Sequence, residues 1–180
     1  MDRREMNECL ECEIFAPYRD SKKRLNIIDR IWVKYISPES NAIYLIRRKQ
    51  YMEGKGRFGR VLSRLYHATL MRRYGIHITE GTKIGKGLRI AHPTSIVVTL
   101  CEIGENFTVY QNCTIGQKKW KSGRFPTIGN NVTMYAHSGI IGDIRVADNV
   151  TLGAGAILLH DAVESGNYCG IPAKRIDKFV

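Results

Sequence analysis

Long apolar runs are missing from this chain of 180 residues. No stretch approaches the roughly 20 apolar residues that a membrane-crossing helix needs, so no span is expected. The opening MDRREMNECL has no apolar core either, and a secretory leader is not expected. Cysteine is sparse and odd in number, with Cys9, Cys12, Cys101, Cys113 and Cys169 making five. That count suits no disulfide framework, so reduced thiols and a cytoplasmic protein are expected. Cys9 and Cys12 form a C-x-x-C pair, but no second Cys or His pair completes a zinc site. Acidic residues are few, 17 Asp/Glu against 28 Lys/Arg, for a net charge of +11. The imbalance is concentrated in residues 1–75, which hold 17 Lys/Arg and 9 Asp/Glu, whereas 76–180 hold 11 and 8. A basic N-terminal part could meet nucleic acid, anionic lipid or an acidic polymer, or be a solvated helical face. Charge alone does not establish nucleic-acid binding, and no nucleic-acid partner is expected.

What the chain does have is an aliphatic residue at every sixth position. The run is Ile78, Ile84, Ile90, Ile96, then Ile103, Val109, Ile115, then Ile128, Met134, Ile140, Val146, Leu152 and Leu158. Many are followed by Gly, as in Ile84-Gly85, Ile103-Gly104, Ile128-Gly129 and Leu152-Gly153. A period of six fits neither a helix nor an exposed strand. It fits hexapeptide repeats, in which short strands and tight turns coil round stacked aliphatics as a parallel β-helix. Three hexads close a triangular coil, so three columns are expected. The first is Ile90, Val109, Met134, Leu152, and the second Ile84, Ile103, Ile128, Val146. The third is Ile78, Ile96, Ile115, Ile140, Leu158, with a one-residue insertion before Ile103 absorbed at a corner. Residues 117–127 (QKKWKSGRFPT) break the period as an extruded loop, a place where function usually sits.

The chain divides into a helical N-terminal segment, 1–75, and a coil domain, 76–180. Residues 1–20 are mixed and polar, and Pro17 is expected to break any regular element there. Three amphipathic helices are expected within 22–73. Their apolar positions are Ile27, Ile28, Ile31, Trp32 and Tyr35; then Ala42, Ile43, Leu45, Ile46 and Tyr51; then Phe58, Val61, Leu62, Leu65, Tyr66 and Leu70. Ser37-Pro38 caps the second helix. Such faces pack against their own chain or a neighbour, with membrane contact the second reading. Gly170-Ile171-Pro172 leaves the coil by a turn.

Among the five histidines, His67 lies in a helix and His160 in the last partial turn. His77, His92 and His137 fall on coil edges. His92 stands two residues after the core position Ile90, and the same offset in later coils gives Gln111, Ala136 and Ala154. With coils about 4.7–4.9 Å apart, this edge runs roughly 14 Å from an imidazole past small residues whose backbone could hold a long thin ligand. A neutral imidazole can take the proton of a hydroxyl as its oxygen attacks a thioester carbonyl. Backbone N–H groups would steady the oxyanion, with Gly116, opening the long loop, nearby.

Residues 76–176 resemble the serine acetyltransferase branch of the hexapeptide-repeat acyltransferases. The matching stretches are IHITEGTKIGKGLRIAHPTSIVV, ENFTVYQNCTIG, PTIGNNVTM, IIGDIRVADNVTLGAGAILL and GIPAKRI. The resemblance implies a mostly β fold, a left-handed parallel β-helix after a small helical segment. It also implies homotrimers with active sites between subunits. It places His92 on the catalytic base, Ala136 and Ala154 along coenzyme A, and Lys174, with Arg175 beside it, near the cofactor's phosphates. Three positions depart from the pattern. Ala91 replaces an acid directly before the base, His77 replaces an acid fifteen residues upstream, and Arg124-Phe125-Pro126 replaces an R-H-P run.

These departures argue against free serine. The expected function is an acetyl-CoA-dependent O-acetyltransferase acting on a sugar hydroxyl in surface polysaccharide synthesis, without a metal. His92 is its base and His77 a possible assistant. Gln111, Trp120, Arg124 and Phe125 contact the acceptor. The alternative is serine O-acetyltransferase of cysteine biosynthesis. A zinc enzyme on the same coil, of the γ-carbonic anhydrase type, would show a His-x4-His pair, and no two of His77, His92, His137 and His160 are five apart.

Overall fold

A computed structural model describes residues 1–18, 26–117 and 125–176. The chain forms two compact units, Met1–Tyr74 and Gly75–Val180.

The first unit is helical from its start. Helix α1 (Arg3–Leu10) is capped reciprocally, the Asp2 carboxylate accepting from the Glu5 amide and the Glu5 carboxylate from the Asp2 amide. It continues through a π-helical turn, Glu11–Phe15, and a 3-10 turn, Ala16–Tyr18. Pro17 therefore falls in the closing turn of a helical stretch, one that the sequence reading did not assign among its three helices. The widely spaced Met6, Cys9, Ile14 and Phe15 bury this segment despite its polar composition. Helices α2 (Ile27–Tyr35), α3 (Pro38–Glu53) and α4 (Gly56–Tyr74) follow, with Ser37 capping α3 as its sequence indicated. Helix α3 is central, burying Ala42, Ile43, Leu45 and Ile46. It also buries Arg47, whose guanidinium forks onto Glu13 with bonds of 2.8 and 2.5 Å and donates to Gln50 at 2.8 Å. The other two helices depart from expectation. Ile27, Ile28, Ile31, Trp32 and Tyr35 of α2, and Phe58, Val61 and Leu65 of α4, are exposed within this chain.

The second unit is a parallel β-solenoid with three sheets. The first sheet stacks β1 (His77–Ile78), β4 (Val97–Val98), β7 (Thr114–Gly116), β10 (Gly139–Ile141) and β13 (Ile157–Leu158). The second stacks β2 (Lys83–Ile84), β5 (Glu102–Ile103), β8 (Thr127–Ile128) and β11 (Arg145–Val146). The third stacks β3 (Arg89–Ile90), β6 (Thr108–Val109), β9 (Thr133–Met134), β12 (Val150–Leu152) and β14 (Gly166–Gly170). It ends with β15 (Ala173–Ile176), which runs antiparallel to β14. In each two-residue strand the second residue is buried, and these residues pile into the aliphatic core.

Two of the three expected columns stand as read. The column of the first sheet does not. Ile78 pairs with Val98, not Ile96, and Val98 pairs with Ile115. Positions 90 to 98 are eight apart and 98 to 103 five apart, so two extra residues lie at the corner after Ile90 and one is missing after Val98. The insertion is therefore not before Ile103. Ile96 is buried as well, which is why period alone selected it.

A second corner carries an asparagine ladder that the sequence reading overlooked. Asn106 donates to Asn131 at 3.0 Å, and Asn131 to Asn149 at 3.1 Å. All three are left-handed, with φ of 57, 56 and 58°. Asn is one of the few non-glycine residues that adopts this conformation readily. Gly87 holds the same place one coil earlier, where a Cβ would lie 2.2 Å from Asn106 Oδ1.

Candidate active site at the His92 corner

The inserted residues are at the corner between the third and first sheets. Up to Ala91 the coils keep register, since the Ala91 amide donates to Val109 and the Tyr110 amide to Met134. Then they diverge. One coil on, Gln111 O accepts from the His137 amide at 3.1 Å, and beyond it Ala136 O accepts from Gly155 at 2.9 Å. In the first coil the matching acceptor is Thr94, whose carbonyl receives the Asn112 amide at 3.0 Å. Thr94, not His92, is thus the corner neighbour of Gln111, Ala136 and Ala154. His92 and Pro93 form a bulge ahead of that row.

The bulge is tightly held. The Thr94 amide folds back onto the His92 carbonyl at 2.7 Å, Pro93 is buried, and His92 and Ser95 take φ of 57 and 53°. The result is an exposed imidazole on a stiff outward turn. His77 opens β1 and is half-buried, its amide donating to Ile96 O at 2.8 Å. Ile96 follows Pro93 by three residues, so the backbone of His77 is tied to the chain just beyond the bulge.

The remaining candidates are distributed along the coil. Ala136 is half-buried and Ala154 exposed, so small side chains line the corner beyond Gln111. Gln111 is half-buried, its Oε1 enclosed without a hydrogen-bond partner among the described residues. His137, which the sequence singled out without a role, lies with Nε2 3.3 Å from Asn112 Nδ2. Tyr110 and Tyr135 stack at 5.0 Å on the outer face beside the corner. Gly116 ends β7 in line with Thr99, on the far side of the first sheet from the His92 bulge, and its carbonyl accepts from Gly142 at 2.8 Å. Lys174 is exposed on β15, while Arg175 bonds the Ser165 carbonyl and lies 3.5 Å from Glu164. Phe125 is half-buried; Trp120 and Arg124 lie outside the described residues. Burial pushes the Cys101 thiol up to about 12 and the Cys9 thiol up to about 11, which leaves both protonated and unreactive near neutrality. Among the described residues no group of three or more His, Cys, Asp or Glu could hold a metal ion.

The sequence and the fold have known counterparts. A serine acetyltransferase of Staphylococcus epidermidis is 37% identical over 131 residues, covering 72% of this chain and 60% of the relative. One from Helicobacter pylori is 41% identical over 106 residues, covering 58% of this chain and 62% of the relative. The crystal structure of Neisseria gonorrhoeae serine acetyltransferase superimposes with a TM-score of 0.78 at 24% identity, over 98% of this chain and 68% of that one. A serine acetyltransferase in complex with CoA gives 0.75 at 21% identity, over 97% and 71%.

The chain resembles serine acetyltransferases in sequence and in fold.

It spans about 60% of the length of these sequence relatives. No family model matches the chain. The similarity to serine acetyltransferases corrects the expected acceptor. A sugar hydroxyl was inferred from the departures at His77, Ala91 and Phe125, yet the relatives that are 37 and 41% identical over the matched residues are serine acetyltransferases. Polysaccharide synthesis has no support among them, and the serine alternative is the better supported one. The likeness also fits the β-solenoid and its helical N-terminal unit. No described helix is long and apolar enough to cross a membrane.

Proposed function

We propose that the chain is an acetyl-CoA-dependent serine O-acetyltransferase, acting as a homotrimer in the cytoplasm. The observation that carries this reading is the 37–41% identity to serine acetyltransferases over 131 and 106 residues of the chain. Two solved neighbours are described as complexes with CoA and with serine, the latter from Neisseria gonorrhoeae at 25% identity and a TM-score of 0.76.

His92 is the proposed general base. Its neutral imidazole accepts the hydroxyl proton as the serine oxygen attacks the carbonyl carbon of the thioester. The C–O bond forms, the carbonyl electrons move onto oxygen, and backbone N–H groups stabilise that charge. When the carbonyl re-forms, the C–S bond breaks, and the proton held by His92 passes to the departing CoA sulfur. His77, its backbone tied to the chain just beyond the bulge, is the proposed second imidazole, supporting the charge that His92 acquires. Ala136 and Ala154 suit a slender pantetheine chain because they project only a methyl group. Lys174 is the better placed of the two terminal cations for a phosphate, because Arg175 already engages Ser165 and Glu164.

The test is CoA release measured with free serine and with a panel of sugar acceptors. Serine turnover well above that of every sugar is expected. Turnover of sugars but not serine would overturn the proposal, as would failure to bind CoA in calorimetry.

A further inference from the structure

We propose that the outer face of α4 is a docking surface for an anionic lipid membrane surface. Between Glu53 and Glu80, over residues 54–79, the chain has six Lys/Arg residues (Lys55, Arg57, Arg60, Arg64, Arg72 and Arg73) and no Asp or Glu. Helix α4 holds five of these, and Arg57, Arg60 and Arg64 recur at helical spacing and are exposed. Directly beside them, with the same three-then-four spacing, run Phe58, Val61 and Leu65. These three are 75, 54 and 55% exposed, and Met71 further along is 44% exposed. The opposite side packs inward through Gly59, Ser63 and Leu70. Arg73 and Tyr74 tie the helix end to Asn41 of α3 at 3.1 and 2.9 Å, so the outer face is held on a fixed support.

An ordinary solvated helix face intersperses both charge signs. This one pairs a basic stripe with an apolar stripe, the pattern of a helix lying in a membrane interface, where arginines meet lipid phosphates and apolar side chains enter the acyl boundary. Charge complementarity selects the occupant. A second copy of α4 would set arginine against arginine with no carboxylate to intervene. A nucleic acid would engage the arginines and leave Val61 and Leu65 unused. An anionic bilayer uses both stripes and needs no matching groove.

The experiment is vesicle co-sedimentation of the full chain. Vesicles of about 30% phosphatidylserine in phosphatidylcholine are compared with phosphatidylcholine alone, at low salt and near 0.5 M. Binding to the anionic vesicles only, weakened by salt, is expected. The combined R57Q, R60Q and R64Q variant should lose about fivefold per arginine, on the order of a hundredfold in all. Phe58→Ser with Leu65→Ser should weaken binding too, with circular dichroism unchanged because every altered position is exposed. No binding of the unaltered chain to anionic vesicles would overturn the proposal without recourse to any variant. So would equal binding to neutral vesicles, or a lipid-independent oligomer that the serine substitutions dissociate.

Discussion

The Thr94 carbonyl receives the Asn112 amide at 3.0 Å, the bond that Gln111 and His137 repeat one coil further on. This single pairing moves His92 out of the row it was expected to head. The imidazole is presented on a two-residue bulge, and the row of small residues begins beside it. A side chain on such a bulge can serve a reaction without carrying the packing of the coil, so chemistry and stability should separate when it is altered.

His92→Ala is expected to lower turnover by about 10²–10⁴, the contribution of a general base. His92→Gly should lose the same activity while raising stability by up to about 1 kcal/mol, since glycine accepts φ of 57° without steric cost. Turnover assays with thermal melts of both variants check this. Unchanged turnover would remove His92 from the mechanism.

Asn131 bonds the asparagines above and below it and keeps a left-handed φ of 56°. Asn131→Ala loses both ladder bonds and places a less suitable residue in that conformation. A cost of about 2–3 kcal/mol is expected, read from urea unfolding. Asn131→Gly should cost less than Asn131→Ala, and the reverse order would refute the conformational part of the argument.

The Arg47–Glu13 pair lies wholly inside the helical unit, with neither side chain exposed. Arg47→Met leaves a buried carboxylate without its cation and should cost about 3–5 kcal/mol. Adding Glu13→Leu should recover most of the loss, because two apolar residues of similar size carry no desolvation cost there. Denaturant unfolding of both single variants and the double variant closes this cycle.

The thiol pKa values set a direction for alkaline stability. Burial raises Cys101 to about 12 and Cys9 to about 11, against an ordinary value of 9.0. Above that ordinary value the unfolded chain loses thiol protons that the folded chain keeps. Stability should therefore fall from about pH 9 upward, through the folded values. Cys101→Ala is expected to flatten part of this decline in thermal melts at pH 8 to 11. A slope unchanged by the substitution would rule Cys101 out as a source.

The period-six aliphatics made the coil legible, because a stacked triangular prism is the structure that buries every sixth residue. Two columns followed directly. The third did not, since Ile96 and Val98 are both apolar and both buried, and only hydrogen bonding decides which faces Ile78. The same ambiguity hid Thr94; its signal was the eight-residue gap from Ile90 to Val98, with Pro93 inside it. The helix before Pro17 was missed because the few apolar residues of a short, mostly polar helix suffice to anchor it. The acceptor was misjudged by giving three local departures more weight than similarity along the whole coil.

The last strand reverses direction. Every coil up to β14 offers its successor an edge that another parallel strand could extend, and solenoids left open in this way can join end to end. By folding back antiparallel, β15 occupies that edge in the third sheet, its pairing from Asn167–Ile176 to Gly170–Ala173 leaving no parallel template on that side. Growth of the stack by a further parallel coil is opposed there by four residues of the chain's own backbone, from Ala173 to Ile176.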